Sequence, residues 1–238
     1  KVKNMMHEKW SDALYISYFQ ANTNTYDTPE RLKSLFFESI SLDKNIVGLS
    51  IATRCDALSD EIYDLLEDLN GKTYLQIELG LQSIHDETSN FINRAHTLKC
   101  FDDAVKELRK RNIDVVVHII NGFHMESKED MLDTVRHLNR LDIQGIKIHL
   151  LHIMKKTKLG KLYLDNPFKM LTLDEYKDIV CDQLEILDPN IIVHRLTGDS
   201  PRELLIAPLW SLKKLVVMNE IDKELRRRNS YQGIKFSK

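Results

Sequence analysis

Short β-rich runs alternate with longer helical ones along this chain, and that alternation restricts its fold more than any other feature. Runs rich in Val, Ile, Leu and Tyr occupy residues 14–19, 46–51, 73–79, 114–120, 145–151 and 191–196, most of them too short for a stable helix. Between them apolar residues recur at spacings of three and four, the pattern of an amphipathic helix. The helix boundaries carry chemical signals. Thr28 precedes Pro29 and Glu30, Ser59 precedes Asp60 and Glu61, and Asn70-Gly71 closes that second helix. Residues 97–111 supply a third helix, while Ser127-Lys128-Glu129-Asp130 and Thr172-Leu173-Asp174-Glu175 open two more with capping-box spacing. Strand and helix in turn, at roughly 25–40 residues per unit, predict parallel strands joined by helical crossovers. Without a G-x-G-x-x-G fingerprint, the pattern favours a partial (βα) TIM-like barrel over a dinucleotide fold. The expected fold class is therefore α/β with mainly parallel strands. Residues 1–168 would form the partial barrel, and 169–238 a C-terminal strand–helix extension packed on it.

Composition excludes several classes. A 42% hydrophobic share of 238 residues suffices for a real core, and a net charge of -2 gives no whole-chain argument for a polyanionic partner. The one local basic run is Arg226-Arg227-Arg228, with Lys223 and Lys235 nearby. No apolar stretch is long enough to span a bilayer, and no signal-peptide pattern opens the chain, so no membrane partner is expected. Three separated cysteines, Cys55, Cys100 and Cys181, form neither a C-x-x-C pair nor a disulfide framework, which fits a reducing, cytoplasmic setting. The opening Lys1-Val2-Lys3-Asn4 has no initiator Met and runs at once into amphipathic, helix-like sequence with Met5, Met6 and Trp10. It reads as a start inside a longer protein.

Polar residues gather where strands end, the edge on which parallel α/β enzymes keep their chemistry. The run 73–79 closes into Glu78-Leu79-Gly80-Leu81-Gln82-Ser83. Gln20 to Tyr26 forms an Asn- and Thr-rich stretch that on its own reads first as a turn capping the next helix. Arg54 at the second strand end can grip a carboxylate through its planar fork, or pair internally with Asp56 or Glu78. Asn93-Arg94-Ala95-His96 follows the third strand, and His118-Ile119-Ile120-Asn121-Gly122 ends the fourth with a glycine that lets the backbone approach a flat ligand. Lys147 and His149 share one strand face, with His152 expected on the other. His118, His149, His152 and His194 lie on separate strands or opposite faces, without H-x-x-x-H or H-E-x-x-H spacing, so a metal-dependent barrel hydrolase on His149 and His152 is the weakest reading.

Taken in order, these segments resemble the radical S-adenosylmethionine superfamily, and within it the bacterial YhcC-type subfamily related to the catalytic subunit of elongator. The carriers are Tyr18-Phe19-Gln20-Ala21, Thr53-Arg54 with Asp56, Glu78 to Ser83, Asn93-Arg94 with His96-Thr97, and His118 to Gly122. They continue with Lys147 to His152, His194-Arg195-Leu196-Thr197-Gly198-Asp199 and Tyr231-Gln232-Gly233. The resemblance implies a partial (βα) barrel, S-adenosylmethionine as cofactor, a [4Fe–4S] cluster, an external electron donor and reductive cleavage to a 5′-deoxyadenosyl radical. By the same resemblance the cofactor-binding residues would be Gln20, Ala21, Arg54, Glu78, Gln82, Arg94, His118 and Gly122. Gln20 and Ala21 would meet the methionine amino group, Glu78 a ribose or amino group and Arg94 the carboxylate, while residues 118–122 flank adenine. The family's C-x-x-x-C-x-x-C cluster loop has no counterpart among these 238 residues. The first matched segment is similar to the family's second strand. The expectation is a barrel lacking its first βα unit, inactive by itself, whose parent enzyme modifies a nucleotide such as a tRNA uridine, with Arg195, Arg202 and Arg226 to Arg228 toward phosphates. The alternative is a non-catalytic cofactor- or RNA-binding module on the same barrel.

Overall fold

A computed structural model describes Trp10 and residues 12–237, so the helix-like reading of Met5 and Met6 lies outside the described residues. The chain divides into two compact units: residues 1–80 with 100–115, and residues 81–99 with 116–238.

In the first unit, strand β1 (Tyr15–Phe19) pairs in parallel with β2 (Ile46–Thr53), which pairs in parallel with β3 (Tyr74–Gln82). The register sets Tyr18 opposite Ser50, Ser50 opposite Gln76, and Ala52 opposite Glu78. Helices α1 (Pro29–Ser41) and α2 (Asp60–Asn70) make the crossovers, as the chain order strand–helix–strand requires. Thr28 caps α1 by accepting the Arg31 N–H. Leu49, Ile51, Leu75 and Ile77 are sealed from solvent together with Phe36 of α1 and Leu66 of α2. Both faces of β2 are largely buried, so its sequence runs apolar rather than alternating.

Short helix α3 (Asp86–Phe91) belongs to the second unit, whereas most of α4 (Leu98–Lys110) belongs to the first. Strand β4 (Asp114–Asn121), α5 (Lys128–Leu138) and β5 (Gly145–Leu150) follow. The antiparallel pair β6 (Ile153–Met154) and β8 (Leu205–Ala207) brackets α6 (Lys158–Asp165), α7 (Leu173–Ile186) and β7 (Ile192–Arg195); α8 (Lys214–Arg227) comes last. β4 pairs in parallel with β5, and β5 with β7. The expected capping boxes of α5 and α7 are both formed, through Ser127 with Asp130 and Thr172 with Glu175.

Two short strands and two short helices escaped the sequence reading. The β6–β8 pair has strands of two and three residues, too short to display a period of two, and α3 and α6 are too short for a clear helical period. Within each unit the parallel strands bring their carboxyl ends to one edge, which positions the residues described next.

Candidate functional site

Glu78 is a carboxylate only 3% exposed, an expensive group to bury without donors. Among the described residues, three side chains supply donors. The Tyr18 hydroxyl donates to Oε2 at 2.7 Å, the Ser50 hydroxyl to Oε1 at 3.0 Å, and Gln76 Nε2 to Oε1 at 3.2 Å. Gln76 also donates to Ser50 at 3.2 Å, which closes the network. Tyr18, Ser50 and Gln76 occupy matched register positions on three neighbouring strands, so one polar layer crosses the sheet of this unit. Ser50 and Gln76 were not expected at a site. Their signal was available as single polar interruptions of apolar runs.

Of the other expected residues in the first unit, Gln20 and Ala21 are exposed just beyond β1. Arg54 grips Asp56 with both edges of its fork, Nε to Oδ1 at 2.8 Å and Nη2 to Oδ2 at 2.6 Å, so the internal ion pair is formed. Arg54 and Asp56 line a groove of 540 Å³ with Asn22, Thr23, Tyr26 and Ala57.

In the second unit, Gln82 and Arg94 come together. Gln82 ends β3 with a left-handed φ of 67°, a conformation that costs a side-chain-bearing residue about 1–3 kcal/mol and persists only where its surroundings impose it. Arg94, 6% exposed, imposes it: Nη1 donates to the carbonyls of Leu81 at 3.0 Å and Ser83 at 2.5 Å, on either side of Gln82. Nε donates to the His96 carbonyl at 3.1 Å. The Ser83 and Thr88 hydroxyls both donate to Glu126 Oε1. Burial nonetheless dominates there and raises the Glu126 carboxyl above its ordinary value, against the lowering effect of those two bonds.

Gly122 has φ 101°, a backbone that only glycine adopts without strain, and Leu171 sits 3.2 Å from where a Cβ would stand. It opens onto a cleft of 320 Å³ floored by Phe123, Met131, Leu171 and Ile179, with Glu126 and Lys128 on its wall. His118 stacks on His149 at 5.2 Å between ring centroids. His149 is driven down to about 3 by burial first and then by His118, Arg195, Lys147 and His152, so it is a neutral imidazole at any working pH. His152 does not point away from His149, as strict alternation predicts. Both imidazoles lie against Gly198, with His149 Nδ1 at 3.3 Å and His152 Cε1 at 3.6 Å from an ideal Cβ there. The reason is that β5 ends at Leu150, so the period of two stops before His152.

The basic run at the C-terminal end of α8 is a packing device. Arg228 pairs with Glu224 at 2.7 Å, with Asp178 at 3.0 Å and with Asp182, while Arg227 holds Glu224 at 2.6 Å. Among the described residues, Arg226 pairs only with its own helix neighbour Asp222, at 3.0 Å. Among the described residues, Arg195 and Arg202 form no ion pair.

The three cysteines do not fit a [4Fe–4S] cluster, which needs three converging thiolates. Cys55 and Cys100 meet at 3.6 Å, but burial pushes the Cys181 thiol up to about 11, the opposite of what ligation needs. No group of three or more His, Cys, Asp or Glu side chains among the described residues is arranged to hold a metal ion. No helix among them is long and apolar enough to cross a membrane.

Comparisons with known proteins agree with this frame. Residues 6–138 match the Radical SAM superfamily and residues 143–227 the Radical_SAM C-terminal domain. The chain is 50% identical to the uncharacterised protein YtqA of Bacillus subtilis over 100% of its own length and 73% of the relative's. It is 33% identical to YhcC of Escherichia coli, covering 89% of this chain and 68% of that one. The structure resembles archaeal Elp3 from Methanocaldococcus infernus, solved with an N-terminal deletion, at a TM-score of 0.84 and 17% identity. That match covers 97% of this chain and 58% of the archaeal one, so the chain spans little more than half of that protein. The likeness shows the fold: α/β with parallel strands, of the partial (βα)-barrel type that the strand–helix alternation predicts.

Proposed function

The chain belongs to the radical S-adenosylmethionine superfamily, of the YhcC-type branch related to elongator, and on that premise we propose that it supplies walls of an S-adenosylmethionine site. The observation that carries the reading is the conformation of β3. One strand bears a buried, three-donor carboxylate at Glu78 and, four residues later, a left-handed Gln82 held by Arg94. Strain maintained by a buried guanidinium is characteristic of a binding surface that must keep one shape. Glu78 is suited to accept hydroxyl or ammonium hydrogens, and the Gly122 backbone to lie against adenine. Arg94 acts through the turn it braces. Gln20, Ala21, Arg54 and His118 complete the proposed set. Bound S-adenosylmethionine would supply the group that is cleaved; its [4Fe–4S] partner does not fit the cysteines of this chain.

A thermal-shift titration tests the site. S-adenosylmethionine at one hundred times its Kd stabilises a binding protein by about 2.7 kcal/mol. Glu78→Gln and Gly122→Ala should each weaken binding at least tenfold. Unchanged affinity in both variants would refute the assignment.

The substrate is proposed to be an RNA of the tRNA class. Its support is the elongator kinship together with Arg195 and Arg202, two guanidinium groups not taken up by carboxylates, in contrast to Arg227 and Arg228. Removing one phosphate contact lowers the slope of log affinity against log salt by about 1. Filter binding of tRNA to Arg195→Ala and Arg202→Ala between about 50 and 200 mM salt should show that drop. A wild-type slope in both variants would sink the RNA reading.

A further inference from the structure

Cys55 and Cys100 are separated by 45 positions, so nothing in their spacing links them. The fold does. Cys55 begins the single 3-10 turn (Cys55–Ala57) that follows β2, and Cys100 is the third residue of α4. Their sulfurs lie 3.6 Å apart, van der Waals contact between two thiols. A disulfide bond is about 2.05 Å long, so oxidation would draw the two sulfurs closer from a distance at which they already touch. The two sulfurs differ in access. Cys55 is 5% exposed, whereas Cys100 is half-buried and reachable from solvent. The Arg54 guanidinium lies within electrostatic reach of both sulfurs.

We propose that Cys55 and Cys100 form a reversible oxidation site whose co-reactant is a hydroperoxide. The Cys100 sulfur, as thiolate, attacks the terminal peroxide oxygen. The O–O bond breaks, the departing oxygen takes up a proton, and Cys100 becomes a sulfenic acid. The Cys55 sulfur then attacks that sulfur, the S–O bond breaks, and the hydroxyl leaves as water with the Cys55 proton. Two thiols are oxidised to one disulfide, and hydrogen peroxide is reduced to two waters. The product ties the turn that carries Arg54 and Asp56 to α4, and a dithiol reductant reverses it. The inference stands on thiol geometry and does not rest on the cofactor reading.

Peptide mapping of the intact protein decides the matter. After one equivalent of hydrogen peroxide, alkylation and trypsin, residues 55–72 and 100–106 should appear as one cross-linked species. The number of alkylated thiols should fall from three to one, with Cys181 the survivor, and dithiothreitol should restore all three. Cys55→Ser should stop at the sulfenic acid and yield a dimedone adduct on Cys100. In Cys100→Ser, Cys55 should remain alkylatable. Three alkylated thiols after peroxide treatment would overturn the proposal, and so would a link that involves Cys181 or joins two molecules. Because the decisive map uses the wild-type chain, the result does not depend on either variant folding.

Discussion

Gln82 keeps its left-handed backbone because Arg94 holds the carbonyls on both sides of it. Arg94→Ala should therefore do two things: destabilise the protein by about 2–4 kcal/mol through unsatisfied buried carbonyls, and release the turn. Urea unfolding measures the first, and amide hydrogen exchange across residues 81–96 the second. Glu78→Gln is a gentler change of shape but reverses one polarity. The amide nitrogen must face donors that the carboxylate accepted, at a cost of about 1–3 kcal/mol in the same assay. Glu126 offers a pH test. Its carboxyl is raised above its ordinary 4.5 by burial, so folding favours the protonated form. Its contribution is fully present below the ordinary value and is lost as the pH rises through the raised one. Glu126→Gln can still accept both hydroxyls and should flatten the stability profile over that window, as read from urea midpoints at stepped pH.

At the scale of elements, the helix starts were legible because capping is local chemistry. Ser127 and Thr172 signal their capping boxes within four residues of sequence, and both boxes form. The far end of α8 was not legible. Three consecutive arginines look like a cationic surface until the fold places Asp178 and Asp182, some fifty residues away, beside Arg228. Arg228 also pairs with Glu185 at 3.5 Å, so Arg228→Ala leaves the carboxylates of Glu185 and Glu224, 2% and 6% exposed, without one of their partners and should cost about 3 kcal/mol. Arg226→Ala should cost less than about 0.5 kcal/mol. Gly160 in α6 carries a second constraint invisible to periodicity. A Cβ there would stand 2.1 Å from the Met154 carbonyl oxygen, which is backbone and cannot give way. Gly160→Ala should destabilise by about 1–3 kcal/mol or more, with the loss appearing as faster exchange in residues 153–165.

For the whole molecule, acid stability should be governed by carboxylates of the opposite kind to Glu126. Arg227 and Arg228 hold Glu224 down to about 2, so its contribution is complete above the ordinary 4.5 and disappears as the pH falls toward 2. Arg228→Ala should shift the acid-unfolding midpoint upward as well as lowering neutral-pH stability. The sequence by itself determined the strands of the parallel pairs, most helices, the parallel α/β class and the family, because hydrophobic period and capping are written in neighbouring residues. It also singled out Glu78, Gln82 and Arg94. Only the tertiary structure decided their partners: Tyr18, Ser50 and Gln76 around Glu78, the carbonyls under Arg94, His149 and His152 against one glycine, and Cys55 against Cys100. Those contacts close loops of up to sixty residues. Their geometry depends on strand register and crossover length together, which no local window of sequence contains.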